Sequence, residues 1–161
     1  MTSLKVRLTA RLGNFVGMGH WARCTQLARE LIRRQHKVFL MPVADQLILP
    51  GDLPPSIGQP LDSVDVEIID DPINPFELFG PARKRVGLDH YGAPQSFDLI
   101  ISSIDRTPPE IKSLSKTRFA IGLEYLIFEP HITDCTMPSN SIKHVLITIG
   151  GRDGLVGAAL M

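Results

Sequence analysis

The chain has 161 residues, 43% of them apolar, enough for the core of one ordinary domain and hardly for two. Its 17 basic and 17 acidic residues cancel to a net charge of zero, which argues against a nucleic-acid binder that relies on a strongly basic surface. No apolar run is long enough to span a bilayer, and Met1-Thr2-Ser3-Leu4-Lys5-Val6-Arg7 lacks the apolar core of a signal peptide. We therefore expect a cytoplasmic chain with no transmembrane segment and no nucleic-acid partner.

Residues 4–10 read as a strand and 37–43 as the next, with a helix over about 20–35 between them. The apolar positions Trp21, Cys24, Leu27, Ala28, Leu31 and Ile32 give that helix its period. Strand, loop, helix and strand in this order predict a right-handed crossover between parallel strands. Charge is unevenly spread. Residues 1–44 carry eight Lys or Arg against the single acid Glu30, and 45–82 carry eight Asp or Glu and no Lys or Arg. The basic segment favours an anionic ligand such as a diphosphate, although a solvated helix face accounts for Arg29, Arg33 and Arg34.

The loop Gly17-Met18-Gly19-His20-Trp21-Ala22-Arg23 opens this helix. The first turn of a helix leaves N–H groups without intrahelical partners and gathers partial positive charge, so it is a ready site for a phosphate. Gly17 and Gly19 have no Cβ, which lets a ligand approach the backbone and allows positive φ. His20 stands beside whatever binds. Imidazole titrates nearest neutral pH, which suits a general base. The plain structural alternative for His20 is a helix-start residue donating to a nearby carbonyl.

Short apolar runs follow at 64–69, 85–88, 99–104, 119–123 and 145–149, bounded by Pro, Gly and Asp, as suits strands buried on both faces of an α/β sheet. Four prolines and two glycines make 50–60 a loop. Asp70 and Asp71 close the third strand, at the end where ligands of open α/β sheets gather, and ordinary turn chemistry accounts for them equally well. His90, in Asp89-His90-Tyr91-Gly92, is expected in a surface turn. Cys24 and Cys135 lie far apart with no metal-ligand spacing around either, which fits a reducing compartment. The stretch 129–140 is polar and turn-rich, and Val145-Leu146-Ile147-Thr148-Ile149-Gly150-Gly151-Arg152-Asp153 then repeats the strand and glycine turn of the N-terminus. The expected organisation is an α/β domain over 1–130, a Rossmann-like parallel sheet with helices on both faces. A linker over 131–142 and the start of a second domain over 143–161 follow, so the chain reads as a fragment.

Three blocks stand out in order: Gly17-x-Gly19-His20-x-x-Arg23 with Leu27, Ala28 and Leu31 behind it, Gly122-Leu123-Glu124-Tyr125-Leu126-Ile127-Phe128-Glu129-Pro130, and Ile149-Gly150-Gly151-Arg152-Asp153. Together they resemble the nucleotide-sugar enzymes of the two-domain GT-B fold, especially the UDP-sugar hydrolases of pseudaminic acid biosynthesis and related glycosyltransferases. The resemblance implies the N-terminal half of such a fold. His20 would be the general base, deprotonating water or an acceptor hydroxyl that attacks the anomeric carbon or the phosphorus. Gly17, Gly19 and Arg23 would bind substrate, Tyr125 would shape the sugar pocket, and Gly151 with Asp153 would line the cleft from the other domain. It also implies a reaction without metal or cofactor, the leaving diphosphate being stabilised by backbone amides and a helix terminus. The family's nucleotide is held mainly by the C-terminal half, so this chain alone is expected to turn over slowly or not at all and to need a C-terminal half or partner subunit. The interval from 43 to 83 is shorter than in the family, so the resemblance does not carry over the family's acceptor specificity or its whole pocket.

Two other classes remain. Gly17-x-Gly19-x-x-Ala22 also fits the fingerprint of an NAD(P)-binding Rossmann domain, with Asp45 as ribose ligand, although residues 11–16 separate the expected strand end from the first glycine. A non-catalytic truncated domain is the third reading.

Overall fold

The computed structural model describes residues 2–12, 19–44, 53–71, 80–90, 94–104, 109–114 and 116–127. The expected linker, the strand at 145–149 and the start of a second domain lie outside them. Six strands form one all-parallel sheet: β1 (Lys5–Leu12), β2 (Lys37–Ala44), β3 (Val64–Asp70), β4 (Ala82–Leu88), β5 (Leu99–Ser102) and β6 (Arg118–Ile121). Their order is β2-β1-β3-β4-β5-β6. β1 pairs with β2 from Lys5↔Lys37 to Leu12↔Ala44 and with β3 from Val6↔Val66 to Ala10↔Asp70.

Helix α1 (Gly19–Arg33) joins β1 to β2, and α2 (Pro109–Leu114) joins β5 to β6. The first connection steps across the sheet in one direction and the second in the other, so right-handed crossovers put the two helices on opposite faces. Contacts agree. α1 buries Cys24 and Ala28 against Val6, Leu8, Ala10, Val38 and Leu40. Lys112 of α2 lies 5.9 Å from the ring centre of Phe119, which packs with Ile69, Phe97 and Ile100 on the other face. The fold is an α/β, Rossmann-like sheet wound on both sides, as the sequence implies.

Alternation along β1 explains the two faces. Val6, Leu8 and Ala10 meet α1, whereas Arg7 and Arg11 point away to Glu67 and Asp71. Truncating the fully buried Leu8 to alanine costs about 2–5 kcal/mol in such a core. At the sheet's edge, Leu40 of β2 exchanges two backbone hydrogen bonds of 2.9 Å with Ile57. Part of the proline-rich stretch read as plain loop therefore covers the outer edge of β2 at Leu40. Gly58 follows with φ of 87°, and a Cβ there would stand 2.1 Å from the Val38 carbonyl oxygen.

Several boundaries differ from the sequence reading. β1 runs on to Leu12, β4 begins at Ala82, β5 stops at Ser102, and β6 gives way to a 3-10 turn at Leu123–Tyr125. α1 stops at Arg33 because Gln35 takes φ of 67°. There the Gln35 N–H donates to the Ile32 carbonyl at 2.8 Å and the His36 N–H to that of Leu31 at 3.0 Å, a Schellman ending without glycine. Ile32, expected on the apolar face, is exposed. Among the described residues no helix is long and apolar enough to cross a membrane.

Candidate functional site

The chain's direction across the sheet reverses between β1 and β3, and the crevice outside the carboxyl ends of these strands is where open α/β sheets take ligands. α1 begins at this crevice. Gly19, its first residue, has no positive φ, so the expected use of glycine for an unusual turn does not hold at this position. A Cβ there would meet nothing within 4 Å, so the backbone is open to approach.

Nδ1 of His20 lies 2.5 Å from Oδ1 of Asp70, the last residue of β3. The Asp70 side chain is wholly buried, while 22% of the His20 side chain remains exposed. One turn further along α1, Arg23 grips the same carboxylate twice, Nε donating to Oδ2 at 2.8 Å and Nη2 to Oδ1 at 2.6 Å. Its Nη1 donates to Asp89. A guanidinium only donates, so the Asp70 oxygens act as acceptors, toward His20 as well. Nδ1 then carries the ring proton and Nε2 presents a lone pair. Among the described residues Nε2 of His20 has no hydrogen-bond partner.

Asp89 follows β4 with φ of 49°, a left-handed conformation that Asp tolerates better than most residues. Ser102 Oγ, at the end of β5, is 2.7 Å from Asp89 Oδ1 and 2.7 Å from the Ile104 carbonyl, its one proton serving either acceptor. Burial works against the charge on Asp89, but the bonds from Arg23 and Ser102 outweigh it and hold the carboxyl below its usual range. Burial likewise opposes the Arg23 charge, and Asp70 and Asp89 together more than restore it. Cys24 Sγ stands 3.7 Å from Asp70 Oδ2. Burial first, and the Asp70 charge second, push its thiol up, so it is not a nucleophile at neutral pH.

Two sequence expectations are corrected. Of the two readings of Asp70 and Asp71, ordinary turn chemistry does not hold: both are buried in ion pairs, and Asp71 accepts from Arg11 Nε at 2.8 Å on the face away from α1. His90 is not on the surface. It is 6% exposed, with its ring centre 4.8 Å from that of Phe97. Gly87 makes room for it, since a Cβ there would be 3.1 Å from the His90 Cβ. Burial lowers the His90 pKa, despite the nearby Asp71 charge.

Of the expected site residues, Gly19, His20 and Arg23 come together at the crevice, with Arg23 engaged by two carboxylates. Tyr125 sits in the exposed turn after β6, three strands from β3 and so about 14 Å across the sheet. Gly17, Gly151, Asp153 and Asp45 lie outside the described residues. Asp89 and Ser102 were not singled out from sequence: the place of Asp89 just after the run 85–88 was an available signal, whereas Ser102 fell inside the run 99–104 and closes β5 only in the structure. An open depression of about 430 Å³ between Lys5, Asp65, Ala82 and Arg83 lies at the opposite, amino edge of the sheet. No family model, no curated protein and no solved structure matches the chain.

Proposed function

We propose that this domain is the base-bearing half of a nucleotide-sugar enzyme, a UDP-sugar hydrolase or glycosyltransferase of GT-B type that works without a metal, with His20 as its general base. The observation that carries this reading is the His20–Asp70 pair at the mouth of α1, beside the crevice between β1 and β3. Nε2 takes a proton from water or an acceptor hydroxyl as that oxygen attacks the anomeric carbon. The bond from that carbon to the diphosphate oxygen breaks, and the nucleoside diphosphate leaves with the bonding electrons. Asp70 steadies the imidazolium at Nδ1. The open backbone at Gly19 and the positive end of α1 face the diphosphate charge.

The substrate class rests on the resemblance of the three glycine-containing blocks. In the same reading Gly17 joins Gly19 at the diphosphate, Tyr125 shapes the sugar pocket, and Gly151 with Asp153 belongs to a nucleotide-holding half. A dinucleotide-binding domain is the second reading. The extension of β1 to Leu12 favours it, because the strand end stands nearer Gly17 than the sequence suggests. Against it, β1 here lies second from the edge, unlike the 3-2-1-4-5-6 order usual in that fold.

The test is UDP release from a UDP-sugar by the protein supplied with a C-terminal half, native or carrying His20→Asn, alongside Trp21 fluorescence titrated with UDP and with NAD. His20→Asn is expected to be about 10²–10⁴ slower with nucleotide affinity unchanged. Undiminished turnover in the variant, or a fluorescence response to NAD and none to UDP, overturns the reading.

A further inference from the structure

We propose that Arg23 is a positioning residue rather than a substrate ligand: backed by Asp89 and Ser102, it fixes the Asp70 carboxylate so that His20 keeps its proton on Nδ1 and a bare Nε2 toward the crevice. This rests on the reading of His20 as the base.

Four elements converge on the arrangement. Asp70 ends β3, Asp89 follows β4, Ser102 ends β5, and His20 and Arg23 share the first turns of α1. Among the described residues, the Asp70 side chain meets, besides Arg23, the His20 ring and the Cys24 thiol, both single contacts. The two-pronged grip of Arg23 stops the carboxylate from turning about its own axis. The guanidinium is held in turn from its far side by Asp89, which Ser102 supports.

Charge points the same way. The groups facing the ring are Asp70 from β3, Arg23 and Cys24 from α1, and Asp89 through Arg23, with Cys24 kept as a neutral thiol. One cation against two carboxylates leaves a single negative charge in excess. The imidazolium formed when Nε2 takes a proton cancels it. Arg23 Nη2 also stands 3.4 Å from Nδ1, so its positive charge lies directly beside the ring.

The two flanking charges therefore act on the ring with opposite sign. Nitrogen NMR of the histidine rings in the whole protein reads this directly, with the His20 signal among five histidines identified by its loss in His20→Asn. In the native protein the neutral ring is expected as the Nδ1–H tautomer. In Arg23→Gln the tautomers mix and the midpoint of the ring's titration moves to higher pH, because a cation is gone. In Asp89→Asn, which keeps the shape, the midpoint moves to lower pH, because Arg23 is less neutralised. Mere loosening of the site would move both variants the same way, and that result, or unchanged ring spectra in both, overturns the proposal. If Arg23→Gln does not fold, the sign of the Asp89→Asn shift decides. In turnover, Arg23→Gln is expected to lower kcat about 10–100-fold with KM unchanged, whereas a substrate-binding arginine would raise KM. The ring spectra need no turnover, so failure of the nucleotide-sugar reading leaves them as an independent result.

Discussion

Asp70 Oδ1 and His20 Nδ1 meet at 2.5 Å although fifty positions of chain separate the two residues. The pairing dictates which ring nitrogen is free to work. An amide in place of the carboxylate keeps the size but not the chemistry: in Asp70→Asn the amide oxygen pairs best with Arg23, leaving its NH₂ group toward the ring. That group calls for an unprotonated Nδ1, so the proton moves to Nε2 and the lone pair is lost from the crevice. Turnover is expected to fall about 10²–10⁴-fold with nucleotide binding retained, and stability to fall by about 1–3 kcal/mol as Arg23 loses a charged partner. Steady-state UDP release and urea unfolding measure the two effects separately, and full turnover in this variant contradicts the dyad.

Gly19 separates ligand approach from folding. Its Cβ would project into open space and its φ is not positive, so the fold itself has no need of glycine there. Gly19→Ala is expected to leave Tm unchanged or raise it, since alanine is favoured over glycine in a helix by roughly 0.5–1 kcal/mol. The added methyl group stands where a diphosphate would approach the α1 amides. Affinity for UDP-sugar is therefore expected to drop about tenfold, or about 1.4 kcal/mol. Binding as tight as native in a Gly19→Ala protein would show that the ligand does not use this backbone.

The crossover of β1, α1 and β2 was legible because hydrophobic period and turn chemistry agree over that stretch, and Asp70 was placed at a strand's carboxyl end for the same reason. What the sequence hid was pairing. Turn chemistry explains an Asp at a strand end as well as an ion pair does, and only the sheet order brings β3 beside β1, so that Asp70 meets α1. Asp89 and Ser102 were hidden likewise, since each makes sense only once β4 and β5 lie side by side. His90 looked like a turn residue because nothing local announces that the ring folds back over Gly87 onto Phe97. The end of α1 was misread because its left-handed residue is Gln35, where a glycine would have marked the boundary.

Glu67 should behave as the structural anchor of the face away from α1. Its side chain is wholly buried and accepts from Arg7 Nε at 3.0 Å, from Arg85 Nε at 3.0 Å and from the Gly80 N–H at 3.2 Å. Glu67→Gln leaves two guanidinium groups together without their counter-charge. The expected loss is about 3–5 kcal/mol in urea unfolding. Replacing all three side chains together, with Arg7→Met, Glu67→Leu and Arg85→Met, is expected to cost less than the single change, because no buried charge is then left unpaired. A Glu67→Gln protein within 1 kcal/mol of native stability would mean that water reaches the cluster.

Acid should destabilise the fold in two steps, because His90 and then a set of carboxyls all take their protons at lower pH in the folded chain than in the unfolded one. Burial holds His90 below the ordinary histidine value of 6.5, so as pH falls through that value the unfolded chain takes the proton first and stability declines. The carboxyls follow. Asp98, bonded by Lys84, and Asp89, whose burial is outweighed by Arg23 and Ser102, both lie below the ordinary 3.8, and the bonds from Arg33 and Arg34 bring Glu30 from 4.5 down to about 2. For these groups the stabilisation is complete above the unfolded values and is lost as pH falls through the native ones. Glu30 pairs with Arg33 and Arg34 at the surface, where solvent screens the charges, so the second step is expected to come chiefly from Asp89. Urea midpoints taken from about pH 7 to about pH 3 read both steps. His90→Gln should flatten the profile between about pH 7 and about pH 5 and leave the lower step intact, whereas Asp89→Asn should shrink the lower step alone. A native profile already flat over the upper range would mean that His90 takes its proton without disturbing its contact with Phe97.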